Sequence, residues 1–177
     1  MEHNKGAPNL KLLSLTWPMF IEELTAGITS LTDTLFISMI SDEAAASVGM
    51  LGPVLFLGYF ILPQFTSAGT SVAAQYIGAQ REDKVLPAWA ANIGISTLLG
   101  ALLAAVLFTF SGRAGSWLGM TEIQNGYAAQ YLSIIAFNFI IVGMRMSYAS
   151  ILQSKTLTRW TMVASVTTNL LNIPLNW

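Results

Sequence analysis

Residues 44–80 read AAASVGMLGPVLFLGYFILPQFTSAGTSVAAQYIGAQ, 37 residues without one charged side chain. A helix rising about 1.5 Å per residue needs roughly 20 mostly apolar residues to cross the hydrocarbon core of a bilayer. The run is longer than one straight span requires, so it tilts, extends past the bilayer or bends. Pro53 and Pro63 are the places to bend it, because proline removes a backbone donor and crowds the preceding turn. Charges close the run at both ends. Ser41-Asp42-Glu43 is a short acidic turn before it, and Arg81-Glu82-Asp83-Lys84 is a tight charged turn after it.

Working outward, the same alternation repeats. Five hydrophobic segments lie at about 12–40, 46–78, 86–110, 124–152 and 160–177. Residues 111–125 read as a longer polar link with an amphipathic patch around Trp117, and Lys155–Arg159 as a short basic turn. The expected fold is all-α, a polytopic membrane helix bundle spanning residues 10–177. Residues 1–9 are polar, lack the basic start and cleavage site of a signal peptide, and read as a retained cytoplasmic tail.

Composition narrows the function. Only 10% of residues are charged, against about 25% in a soluble domain, and mean hydropathy is +0.59. Part of the solvent for such a surface is lipid. A net charge of −1 supplies no bulk attraction to nucleic acid. There is no cysteine for a disulfide or thiolate site, and the one histidine, His3, lies in the tail. Phosphate-cradling, dinucleotide-binding, nucleophile-elbow and zinc-protease motifs are absent from the sequence. Glu22 and Glu23 have no histidine or cysteine in the membrane to work with, so no enzyme and no cofactor is expected.

Basic residues orient the bundle. Lys5 and Lys11 precede segment one, Arg81 and Lys84 lie between two and three, and Lys155 and Arg159 lie between four and five. These six of eight basic residues share one side, against Arg113 on the other, with Arg145 inside a helix. The excess predicts a cytoplasmic N-terminus in the inner membrane. Trp89, Trp117 and Trp160 read as interfacial anchors, and Ala90, Gly94, Gly100 and Ala104 as close-packing positions.

The intramembrane polar residues carry the function. A carboxylate at a helix centre costs about 2.5–3.5 kcal/mol on insertion scales, so it usually faces protein or water. Glu22 and Asp33 are eleven residues apart, close to three turns, with Thr25 and Thr29 between them on nearly the same face. Segment five carries a matching stripe of Ser165, Asn169, Asn172 and Asn176, and Pro174 frees a carbonyl there. Amide and carbonyl oxygens opposite a carboxylate would make a proton or sodium site. The plainer reading is that Thr and Asn stripes bond helix to helix, worth about 0.6–2 kcal/mol per contact. That reading suits Thr25 and Ser165 better than Asp33. Glu22, Glu23 and Arg145 have a plainer reading as well, reaching for the interface.

Taken in order, several short stretches carry a family resemblance. They are Leu31-Thr32-Asp33-Thr34-Leu35-Phe36, the alanines at 44–46, Gln75-Tyr76-Ile77-Gly78-Ala79-Gln80, Leu152-Gln153 with Thr158-Arg159 and Met162, and Asn172-Ile173-Pro174-Leu175-Asn176-Trp177. Together they resemble the first five helices of multidrug and toxin extrusion (MATE) transporters, nearest the NorM-like branch. The resemblance implies twelve helices in two six-helix lobes, expelling organic, often cationic, drugs in exchange for protons or sodium ions. It implies that Asp33 is the first-helix aspartate, and that Asn172 and Asn176 are its fifth-helix partners. The expected cation-coupling set is therefore Asp33, Asn172, Asn176, Asn169 and Thr29, with any sodium at Asp33, Asn172 and Asn176. Such members often have glycine at Ser38 and Ser41, glycine near Thr156 and proline near Thr161, so the loops here are expected to differ.

The chain closes inside the fifth segment, which makes it an expected N-terminal lobe fragment whose partners are the lipid bilayer, drug substrates and a second lobe. Two further readings follow from the same residues. One is a flippase for lipid-linked precursors, which would place more basic residues in the cavity than Arg145. The other is a truncated membrane subunit that does not transport.

Overall fold

A computed structural model describes residues 12–175, which form six helices and, among the described residues, no strand. They are α1 (Leu12–Ile40), α2 (Asp42–Met50), α3 (Gly52–Gly78), α4 (Glu82–Trp117), α5 (Glu122–Ser154) and α6 (Thr158–Leu175). The expected tail, residues 1–9, lies outside the described residues.

The uncharged run breaks once, at Leu51, where α2 and α3 meet at 48°. Pro53 stands in the first turn of α3, where it needs no N–H partner, and it stops α2 from continuing through. Pro63 lies inside α3, which carries on past it to Gly78. Ser41 caps α2 by accepting from the Ala44 N–H at 3.0 Å, and Asp42 and Glu43 place negative charge at its positive end.

The expected polar link at 111–125 is a correction. Helix α4 runs on to Trp117 and α5 starts at Glu122, so the connection is only four residues. Gly119, at φ +74°, takes the left-handed conformation that ends α4, and Thr121 with Gln124 forms a capping box that starts α5. Polar residues before Trp117 do not interrupt the helix, because their side chains bond locally. The Ser111 hydroxyl donates to the Phe108 carbonyl at 2.9 Å.

Helices α4 and α5 form the closest pair, antiparallel and backbone to backbone. A Cβ on Gly100 would stand 2.5 Å from the Phe139 carbonyl oxygen, and one on Gly143 would stand 2.5 Å from that of Ser96. Only glycine lets the two helices approach this far. Helix α3 joins them through a buried polar staple. Asn92 donates to the Ser150 hydroxyl at 2.7 Å and to the Thr66 carbonyl at 3.4 Å, and Thr70 donates to Ser150 at 2.8 Å. At the same end the Trp89 indole donates to Ser154 at 3.1 Å, and the Lys155 ammonium lies 4.7 Å from the centre of its ring. Towards the other end the core is apolar, with Leu51, Leu55, Leu62, Ala128, Leu132 and Phe139 buried together.

Helix α1 packs along α6, and this pair touches α2 and α5 far less extensively than α3, α4 and α5 touch one another. The molecule is therefore an all-α membrane helix bundle made of a stapled body and a second, two-helix layer. By length and composition α4 and α5 can each cross a membrane, and the bent α2–α3 pair makes a third span if counted as one. Helices α1 and α6 carry the polar stripes instead.

Candidate functional site

Three cavities lie along the seam between the α1–α6 pair and the body. The first has a volume of about 660 Å³ and holds Thr29 and Asp33 from α1, Tyr59 from α3, Tyr131 from α5 and Asn169 from α6. The second, about 440 Å³, holds Glu22, Glu23, Arg145 and Ser165. The third, about 260 Å³, lies between Leu15 and Met19 of α1 and Thr156 and Thr158 at the start of α6.

The two helical stripes meet across this seam. The Ser165 hydroxyl donates to a Glu22 carboxylate oxygen at 3.4 Å. One turn further on, Asn169 enters the cavity of Asp33. Asp33, Thr29 and Asn169 are all half-buried. The Thr29 hydroxyl donates to the Thr25 carbonyl at 3.0 Å, which leaves its lone pairs as acceptors. Thr25 likewise donates to its own helix, to Ile21 at 2.9 Å and Glu22 at 3.0 Å. For Thr25 the plainer reading of the stripe fits what the structure shows.

Asn169 differs. Its amide nitrogen is buried without a hydrogen-bond partner. A half turn of the amide exchanges its two ends, so the group can offer a donor to a carboxylate or an acceptor to a cation. A buried, unpartnered amide in the wall of a cavity that also holds a carboxylate marks that cavity as a candidate polar site.

Of the expected residues, Asp33, Thr29 and Asn169 therefore come together in one cavity. Asn172 is half-buried on α6 and does not line that cavity. Asn176 lies outside the described residues. No group of three or more acidic, histidine or cysteine side chains suited to a metal occurs among the described residues, so any cation held here would be bound by hydroxyl, amide and one carboxylate.

Tyr59, Tyr131 and Asn138 were not anticipated. Tyr59 lies beside Asn138, and its ring packs on buried Phe139 with centroids 4.9 Å apart. Asp33 and both tyrosines line the same cavity. No spacing along the sequence links residues 33, 59 and 131; only the packing of three helices does. The available signal was weak: a tyrosine in the middle of an uncharged run, and an asparagine in the middle of segment four.

The comparisons agree with this architecture. The sequence matches the MatE family over residues 18–177. It is 28% identical, over 167 residues, to the uncharacterized transporter YisQ of Bacillus subtilis (strain 168), covering 94% of this chain and 36% of that protein. A solved MOP superfamily transporter from Pyrococcus furiosus superposes with a TM-score of 0.86 at 24% identity, over 97% of this chain and 38% of its own. A stretch of 142 residues is 34% identical to chloride channel protein ClC-Kb of Xenopus laevis, but takes in only 19% of that protein and carries no activity across. The chain spans about a third of the length of the two transporters, at 36% and 38%.

Proposed function

Because this chain belongs to the MatE family, a family of membrane transporters, we propose that it works as one lobe of a secondary active antiporter, exchanging protons or sodium ions for small organic cations. The observation that carries the reading is the cavity lined by Thr29 and Asp33 of α1 and by Asn169 of α6, whose amide nitrogen is buried and unpartnered. A carboxylate inside a membrane helix marks an ion path by default, because its burial is costly without such a use. A proton on Asp33, or a sodium ion beside it, removes the negative charge that α1 and α6 hold between them. The pair then repacks against the body, and a drug site between two lobes changes its affinity.

In this reading Asn172 extends the site along α6, Asn176 belongs to the same cation-coupling set, and the second lobe completes the drug cleft. The spans lie within α1, the bent α2–α3 pair, α4, α5 and α6, the membrane is the cell inner membrane, and the N-terminus is cytoplasmic. The protein is not an enzyme. Among the described residues Arg145 is the one basic residue lining these three cavities, which favours a cationic cargo over the phosphate-bearing precursor of a flippase.

The test is efflux of ethidium from cells expressing the gene product, with and without Asp33→Asn. The variant keeps side-chain volume and removes the charge. Loss of gradient-driven efflux is expected at normal protein levels in the membrane, and undiminished efflux would sink the proposal.

A further inference from the structure

The three cavities form a series. The Asp33 and Glu22 cavities share Ala26 and Tyr59 in their walls. The Glu22 cavity shares Met19, Ser67, Thr70 and Gln153 with the third, which ends at Thr156 and Thr158 on the turn into α6. Cavities that share wall residues therefore run in series from Asp33 to the end of the molecule where α1 begins. The path lies wholly along the seam, with the α1–α6 pair on one side and the body on the other.

Asp33 and Glu22 lie on one helical face, eleven residues or about 16 Å apart along the axis. A proton does not cross that distance in one step, so carriers are needed between them. Cavities of about 660 and 440 Å³ have room for several waters at about 30 Å³ each. Where the two cavities meet stands the Tyr59 side chain, whose hydroxyl both donates and accepts. Its ring contact with buried Phe139 holds it in place. The charged and titratable groups around Glu22 are Glu23 on α1, Tyr59 on α3 and Arg145 on α5, while α6 offers the Ser165 hydroxyl.

Resting on the reading of Asp33 as a proton-coupling group, we propose that Glu22 is a second proton-binding group, which takes the proton from Asp33 past the Tyr59 hydroxyl and releases it at the end of the molecule where α1 begins. The proton leaves the Asp33 carboxylic acid and restores its carboxylate. Tyr59 accepts one proton and passes on another, ending unchanged. Glu22 becomes the neutral acid, then gives its proton to water in its own cavity, from which the third cavity continues to the end of the molecule.

The experiment is proton entry into liposomes that hold the complete gene product, with pyranine and ethidium inside and a pH gradient imposed. Glu22→Gln and Tyr59→Phe are each expected to slow entry roughly tenfold or more. Glu22→Asp is expected to keep entry, with a displaced pH profile. A purely structural Glu22 would instead make Glu22→Asp as slow as Glu22→Gln and leave the pH profile in place, and that result overturns the proposal. Tyr59→Phe keeps the ring against Phe139, so it decides the matter even where Glu22→Gln does not fold. Entry abolished by Asp33→Asn but unchanged in Tyr59→Phe and Glu22→Gln overturns the relay and leaves the antiporter reading standing. Entry unchanged in Asp33→Asn overturns proton coupling at Asp33, and the relay falls with it.

Discussion

Asn92 is the residue on which the body's polar staple turns. Its amide reaches Ser150 of α5 and the Thr66 carbonyl of α3 from a fully packed position on α4, and Ser96 donates back to its Oδ1 at 3.4 Å. In a membrane no water replaces those bonds, although the unfolded helices find some partners of their own. Asn92→Ala is expected to destabilise the protein by about 0.6–2 kcal/mol. Thermal unfolding in detergent, followed by tryptophan fluorescence, checks this; an unchanged midpoint would mean that the staple adds nothing. The same scale shows what can be read from a sequence. Asp33, Thr29 and Asn169 were legible because helical arithmetic puts each on a face, and charge or amide in lipid demands a partner. Tyr59, Tyr131 and Asn138 were not, because their importance comes from a meeting of α3 and α5 that no local period encodes. Thr25 shows the limit from the other side: the right face, with a hydroxyl already bonded to its own helix.

Between elements, two turns hold a non-glycine residue in the left-handed conformation. Thr156 follows α5 in the left-handed conformation at φ 61°, while the Leu157 N–H reaches back to the Leu152 carbonyl at 2.8 Å. Gln80 does the same after α3 at φ 56°, with the Arg81 N–H bonded to the Tyr76 carbonyl at 2.9 Å. Both are helix ends that glycine serves best. A β-branched residue there is the more strained of the two. The left-handed conformation costs an L-residue roughly 1–2 kcal/mol, and glycine's extra unfolded freedom takes back about 0.5–1 kcal/mol. Thr156→Gly is therefore expected to stabilise the protein by about 0.5–1 kcal/mol, read as a higher unfolding midpoint; a lower one would mean that the threonine methyl packs usefully. Element boundaries were legible where a proline or a charge cluster stood. Pro53 marked the α2–α3 break to within two residues. The end of α4 was missed by several residues, because Ser111 and Arg113 look like a loop and are accommodated in the helix.

For the whole molecule, the turns after α3 and α5 lie at the same end of the bundle, since Trp89 near the start of α4 bonds Ser154 at the end of α5. The turn between α4 and α5 lies at the other end. The count of basic residues predicts which end faces the cytoplasm, and these 177 residues hold no cysteine that would compete with an introduced one. Glu82, Glu122 and Lys155 are all exposed. In intact cells an impermeant maleimide is expected to label Glu122→Cys and to spare Glu82→Cys and Lys155→Cys; the reverse pattern would invert the orientation. The layered arrangement was only half legible. Matching polar stripes predicted that α1 and α6 face each other, but nothing local said that α3, α4 and α5 would clamp together without them. That pairing has a consequence for synthesis. Helix α1 ends at Ile40 and its neighbour α6 begins at Thr158, with 117 residues between them. At about 5–20 residues per second, roughly 6–25 seconds pass between the emergence of one helix and of the other. For that time Glu22, Glu23 and Asp33 have no α6 to lean on, so the newborn α1 depends on the insertion machinery, or on water at its edge, to wait for the last helix of the set.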